Sequence, residues 1–220
     1  MINIAIDGPG GAGKSTIAKA AAKELGYIYV DTGALYRSVG LYALRKEVKT
    51  DSADEVVPLL SEISVELKFI DGSQRVYLNG EDVSEEIRTP EASMAASNVS
   101  AIQAVRDFLF DLQRNIAKEN NCIMDGRDIG TVVLPNAQVK IFLTASAEER
   151  AKRRYLQLME KGQEVKYEDV LKELQERDYQ DSHREIAPLK PAEDSIIIDT
   201  SDINLEQSID TVVNVIRERV

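Results

Sequence analysis

Residues 2–16 read INIAIDGPGGAGKST, and their glycines fit two phosphate-binding patterns at once. Gly8, Gly10 and Gly13 satisfy the G-x-G-x-x-G spacing of dinucleotide turns. Gly8, Gly13, Lys14 and Ser15 satisfy the G-x-x-x-x-G-K-[ST] spacing of triphosphate loops. Both patterns place a glycine-rich turn between a strand and a helix, so that backbone N–H groups and the helix N-terminus face phosphate. Asp31 even stands where a dinucleotide site would put its ribose-binding acid. Lys14-Ser15-Thr16 separates the two. A dinucleotide turn needs no ammonium followed by a hydroxyl, whereas a triphosphate uses the lysine on its β and γ phosphates and the hydroxyl on Mg²⁺. The reading is therefore an ATP loop built from Gly8, Pro9, Gly10, Gly11, Ala12, Gly13, Lys14, Ser15 and Thr16. GTP is disfavoured because the N-K-x-D segment that usually reads guanine does not occur.

Outward from this loop, short apolar runs recur at 2–7, 27–30, 121–125, 139–143 and 195–199. Their continuous rather than alternating hydrophobicity suits strands covered on both faces. Helical periodicity lies between them, at 14–25, 33–46, 101–118, 146–161, 167–183 and 204–218. Alternating strands and helices predict a parallel sheet whose ligands sit at the carboxyl ends of its strands, after residues 7, 30, 125 and 143. The stretch SVELKFIDGSQRVYLNGEDVSEEI departs from this. Val65, Leu67 and Phe69 alternate with Glu66 and Lys68, and the turn pairs Asp71-Gly72 and Asn79-Gly80 bracket RVYL. This predicts a small antiparallel insert with one covered and one wet face.

Composition sets the outer limits. A chain of 220 residues holds one sizeable α/β core with a smaller subdomain. A net charge of −11 argues against non-specific nucleic-acid binding, which rests on neutralising phosphates. Cys122, the single cysteine, lies in an apolar run and reads as a buried thiol. The N-terminus lacks the charged start and apolar stretch of a signal peptide, and no run approaches the roughly 20 residues of a membrane span. A cytoplasmic monomer is expected.

Arginines then collect near the predicted strand ends. Arg37 lies in DTGALYR and Arg127 in DGRDIGT. In EERAKRR, Arg150, Arg153 and Arg154 share one helix face, as do Arg177, Asp181 and Arg184 in RDYQDSHR. Such faces can clamp a phosphoryl group in flight, whose transfer depends on positioning and charge offset. They can equally be solvated faces, the first paired with Glu148 and Glu149, the second an ion-pair ladder worth little. His183 reads as solvated, and Asp31 as the residue that orders the DTG turn through backbone N–H groups.

Taken together, GPGGAGKST, DTGALYR, RTPEASMAASNVS with AVRDFLFDLQR, DGRDIGT, EERAKRR and QERDYQDSHREIAPL resemble the bacterial cytidylate kinase family, in order and over nearly the whole chain. The resemblance implies an α/β fold: a P-loop NTPase of the nucleoside monophosphate kinase type, with a five-stranded parallel core sheet. The core would comprise 1–31, 100–149 and 166–220, the monophosphate-binding region 32–99 with the insert at about 62–86, and a short lid about 150–165. It further implies ATP and Mg²⁺ with CMP or dCMP as acceptor. By resemblance, Asp128, Arg106, Arg184 and Thr32 line the base, and Arg177, Asp181 and Ser97 the sugar. Arg37 and Arg127 clamp the acceptor phosphate. Lys14, with Arg150, Arg153 and Arg154 of the lid, offsets charge on the transferring group. Ser15 would ligate Mg²⁺ directly and Asp125 through water; a helix or turn cap is the alternative for Asp125. Thr32 stands where some members carry serine.

Three other readings stay open on the sequence. A kinase for UMP or another small acceptor would keep the loop. A dinucleotide-dependent oxidoreductase would bind NAD(H) and ignore Mg²⁺. A non-catalytic nucleotide-binding module would bind ATP without turnover and expose a large apolar patch.

Overall fold

The computed structural model describes residues 1–70, 72–160 and 162–220. Asp71, half of one predicted turn, and Lys161, at the end of one predicted helix, lie outside the described residues.

β1 (Asn3–Asp7) runs into the glycine loop and α1 (Lys14–Leu25), and the chain returns through β2 (Ile28–Asp31) to α2 (Thr32–Arg45). A short helix α3 (Ala53–Val56) precedes the hairpin β3 (Val65–Ile70) and β4 (Ser73–Leu78) with the brief β5 (Glu81–Asp82). Then follow α4 (Pro90–Ser100), α5 (Gln103–Glu119), β6 (Cys122–Gly126), β7 (Val139–Thr144), α6 (Ala147–Glu160), α7 (Tyr167–His183), β8 (Ile196–Asp199) and α8 (Leu205–Arg217). The large sheet has the order β2-β6-β1-β7-β8, parallel throughout. The five apolar runs of the sequence are its five strands.

Alternate residues of β1 explain the layers. Ile4 and Ile6 point into a cluster with Ile17, Ala18 and Ala21 of α1 and Val212, Val213 and Ile216 of α8. Ala5 points the other way, with Val30, Cys122, Met124 and Ala117 of α5. Both faces are dry, so the central strands need no polar alternation. Cys122 is fully buried, and burial pushes its thiol up to about 12.

The region after β2 has a core of its own. Leu35 and Val39 of α2, Val76 and Leu78 of β4, and Val99 of α4 pack together, and the cluster continues into α5 through Ile102, Val105 and Leu109, past the predicted boundary at 99. The insert is antiparallel as its alternation predicts, with Val65 opposite Leu78 and Phe69 opposite Gln74. Its covered face is shorter than the pattern implies: Val65 and Leu67 are half-buried, but Phe69 and Ile70 are exposed. Gln74 ties the insert to the main sheet, accepting from the backbone N–H of Asp31 at 2.8 Å and donating to its carbonyl at 3.3 Å. α4 is capped by Thr89, whose hydroxyl accepts from Ala92, and Pro90 opens its first turn. Among the described residues no helix is long and apolar enough to cross a membrane.

Candidate active site

The carboxyl ends of the parallel strands open into a cavity of about 870 Å³, in the range of small-molecule sites. Segments that follow β1, β2 and β6 contribute to its lining, as the topology requires, and so do α6, which follows β7, and the segment after β8.

Gly10, Gly11, Gly13, Lys14, Ser15 and Thr16 form one wall, while Gly8, Pro9 and Ala12 sit behind it. Gly8 adopts φ +149°, and a Cβ there would come within 1.9 Å of the Leu143 carbonyl oxygen, so only glycine lets the loop cross β7. Lys14 is 7% exposed and donates to the Pro9 carbonyl at 2.8 Å. Burial and then the neighbouring Arg127 push its ammonium down to about 7. An anion seated in the loop would restore the full charge. Ser15 Oγ donates to Asp125 Oδ2 at 2.8 Å. Burial and then Asp31 lift the Asp125 carboxyl to about 6, so a cation between the two side chains would be welcome. Among the described residues no cluster of three or more His, Cys, Asp or Glu could cage a metal. The donor pair itself, one hydroxyl and one carboxylate, would fit Mg²⁺, which takes one or two protein oxygens and completes its shell with phosphate and water.

At the far end of the cavity, Asp128 is buried between two arginines. Arg106 donates to Oδ2, and Arg184 Nη2 lies 3.8 Å from Oδ1. Thr32 Oγ1 donates to the Asp125 carbonyl at 2.8 Å beside them. Ser100 ties this group together, its carbonyl accepting from Arg106 at 3.3 Å and its hydroxyl from Arg184 at 3.0 Å. Tyr36 places its ring 5.8 Å from the Arg106 guanidinium. Ser100 and Tyr36 belong to no motif that would single them out, although both lie inside stretches that the resemblance spans.

Between the two ends stand Arg37, Arg127, Arg177, Asp181 and Ser97. Arg37 is held at 2.6 Å by Asp31, whose other oxygen caps α2 by accepting from Ala34. Arg127 Nε donates to Asp181 Oδ2 at 2.8 Å. Burial acts to raise the Asp181 carboxyl, but Arg127 and Arg177 more than offset it and hold it below the usual range. Burial and then Arg127 lower Arg177 to about 10. Three buried guanidinium nitrogens here have no hydrogen-bond partner: Arg37 Nε, Arg177 Nε and Arg184 Nη2. Guanidinium N–H groups free in a cationic cleft would suit an anionic ligand.

The three arginines of α6 do not present one face to the cavity. Arg153 and Arg154 line it, and Arg153 also donates to the carbonyl and hydroxyl oxygens of Thr200. Arg150 is turned beneath the loop, donating to Gly10 and Ala145 carbonyls and to Asp178, each within 3.0 Å. Its partner is Asp178 of α7, not Glu148 or Glu149, because α6 and α7 pack through Ala151, Leu158, Val170 and Leu174. His183 is exposed and stacked on Tyr179, outside this cavity. Ser201, Ile203, Asn204, Leu205 and Ser208, after β8, also line the cavity, and no phosphate or base motif in the sequence points to them. The one local signal there is Asn204-x-x-Gln207, a capping box that starts α8.

The geometry meets independent likeness at this point. A family model described as cytidylate kinase matches residues 4–218. A cytidylate kinase from Caldicellulosiruptor saccharolyticus is 54% identical over 94% of this chain and 91% of its own length, and one from Caldanaerobacter subterraneus subsp. tengcongensis is 52% identical over 99% and 95%. A solved structure of an uncharacterized protein from Eubacterium ventriosum shares the fold along the full length of both chains, with a TM-score of 0.53 at 15% identity. With its phosphate loop, its buried acid between arginines and this full-length likeness, the chain belongs to the cytidylate kinase family.

Proposed function

We propose that the chain transfers the γ-phosphoryl group of ATP to CMP or dCMP, giving ADP and CDP or dCDP. The observation that carries the choice of acceptor is Asp128, buried and flanked by Arg106 and Arg184. Cytosine offers an N4 amino donor beside N3 and O2 acceptors, and a carboxylate next to guanidinium donors is its complement. Uracil would set O4 lone pairs against the carboxylate, and a purine would meet the Tyr36 and Ser100 wall.

Lys14, with Arg153 and Arg154 from α6, offsets charge on the transferring group, Arg37 and Arg127 clamp the acceptor phosphate, and Arg177 stands with the groups that face the sugar. Arg150 acts through the loop it braces. Asp181 and Ser97 face the sugar. The acceptor oxygen is already anionic near neutral pH, so alignment carries the step without a general base. Mg²⁺, when bound beside Ser15 and Asp125, adds charge compensation on the phosphates. Residues 150–165 act as a lid that excludes water as a competing acceptor. The charge of −11 supports a protein without nucleic-acid partners, read here as a cytoplasmic monomer.

Asp128→Ala tests the acceptor reading. It should cost about 1–3 kcal/mol of discrimination for cytosine over uracil, read as the ratio of kcat/KM for CMP and UMP. An unchanged ratio would assign N4 to another residue.

A further inference from the structure

Asp7 closes β1 directly ahead of the phosphate loop, yet it does not line the cavity, and the hydrogen bonds of its carboxylate go to another segment. It is 3% exposed and spends both oxygens on backbone N–H groups of a distant segment. Oδ1 accepts from Ile129 at 2.8 Å and Oδ2 from Gly130 at 2.7 Å. These two amides open a π-helical turn over Ile129–Val133, and such first-turn amides have no partner within their own helix. The carbonyl of Asp128 heads the same turn, accepting from Val132 at 2.9 Å and Val133 at 3.2 Å. π-Turns are scarce and recur where a chain has to aim a functional side chain.

The fit around this contact is tight. A Cβ on Gly130 would lie 3.3 Å from Asp7 Oδ2 and 3.2 Å from the Lys140 stem. A side chain there would press the carboxylate and the Lys140 stem aside by a few tenths of an ångström. Lys140 is itself pinned at its far end, with Nζ 2.9 Å from Asp194.

We propose that Asp7 is a positioning residue for acceptor recognition: by capping the 129–133 turn it fixes the backbone that carries Asp128, and so sets how well cytosine is told from uracil. The inference rests on the reading of Asp128 as the group that meets the base. Asp7 touches no substrate. Its effect should fall on the acceptor and spare ATP.

The test compares Asp7→Asn, Gly130→Ala, Asp128→Ala and the double variant Asp7→Asn with Asp128→Ala, reading kcat/KM for CMP and UMP, KM for ATP, and thermal stability. Asparagine keeps an oxygen for one of the two amides and sets an NH₂ donor against the other. Asp7→Asn should raise KM for CMP and lower the CMP to UMP ratio by about fivefold or more, the low end of a lost base contact, while KM for ATP holds. Gly130→Ala should move the ratio the same way without altering the carboxylate. The double variant should show a ratio no lower than Asp128→Ala alone, since both act on one contact. If Asp128→Ala lowers the ratio and Asp7→Asn and Gly130→Ala leave it unchanged, whatever they do to stability, the proposal is overturned. If Asp128→Ala itself leaves the ratio unchanged, the underlying reading of Asp128 falls first, and the positioning role with it. Should Asp7→Asn fail to fold, Gly130→Ala alone decides between these outcomes.

Discussion

Replacing Asp181 by asparagine removes a single negative charge from a pocket crowded with arginines. Asp181 accepts from Arg127 at 2.8 Å, its side chain is 5% exposed, and Arg177 and Arg184 also act on its carboxyl. Breaking a buried ion pair on one side costs about 3–5 kcal/mol, because the surviving charge stays buried. Asparagine keeps an acceptor for Arg127, and Arg127 is 19% exposed, so the lower end, about 3 kcal/mol, applies. For a chain of this length that is a fall in Tm of about 6–12 °C. The native carboxyl lies below its usual range, so the native state binds fewer protons than the unfolded one. The stability it contributes is complete above an unfolded value of about 3.9 and is lost as pH falls through the lower native value. The deficit of the variant should thus be full at pH 7 and close only in acid. A phosphate ion in the cavity would supply the missing charge. Scanning calorimetry of both proteins in phosphate and in an uncharged buffer should therefore show a smaller gap in phosphate. A change in Tm below about 2 °C, independent of phosphate, would refute the view that Asp181 holds this cationic cleft together.

Two further outcomes are expected. Lys14→Ala should lower turnover by about 10²-fold or more, since it removes the ammonium aimed at the transferring group; near-normal turnover in a coupled ADP assay would remove the loop assignment. Burial raises Asp7 to about 6, against the opposing pull of the Gly130 and Ile129 amides and of Lys14, with Asp128 adding to the rise. The native state therefore holds this proton more tightly than the unfolded chain. The contribution of Asp7 falls as pH rises from about 4 to 6 and is level above that. Denaturant titrations should show the stability difference between wild type and Asp7→Asn shrinking by about 2–3 kcal/mol across that window, and a difference that grew with pH would contradict the sign.

Much of the fold is local information and could be read as such. The five strands are continuous apolar runs because their neighbours cover both faces, and α7 ends where its periodicity ends. α4 carries a Thr-Pro-Glu start, but apart from Val99 its buried side is Ala92, Ala95, Ala96 and Ser100, too small to give a clear apolar stripe. The π-turn at 129–133 has no local signature, and the partner of its first amide is a carboxylate 122 residues away. Helical spacing put Arg150, Arg153 and Arg154 at similar angles. It could not say that α7 would bring Asp178 against Arg150 and draw it under the loop. Asp31 was legible as the residue that orders the DTG turn through backbone N–H groups, which it does by capping α2, whereas its second bond to Arg37, and the hold of Gln74 on its backbone, depend on tertiary packing.

The most direct test of the central claim is ADP release from ATP and Mg²⁺ by the wild-type protein with CMP, dCMP, UMP, AMP, GMP or shikimate as acceptor. The account predicts clear preference for CMP and dCMP. Turnover confined to a different acceptor would contradict the role of Asp128, and binding of NAD(H) in place of ATP would contradict the reading of the GPGGAGKST loop itself.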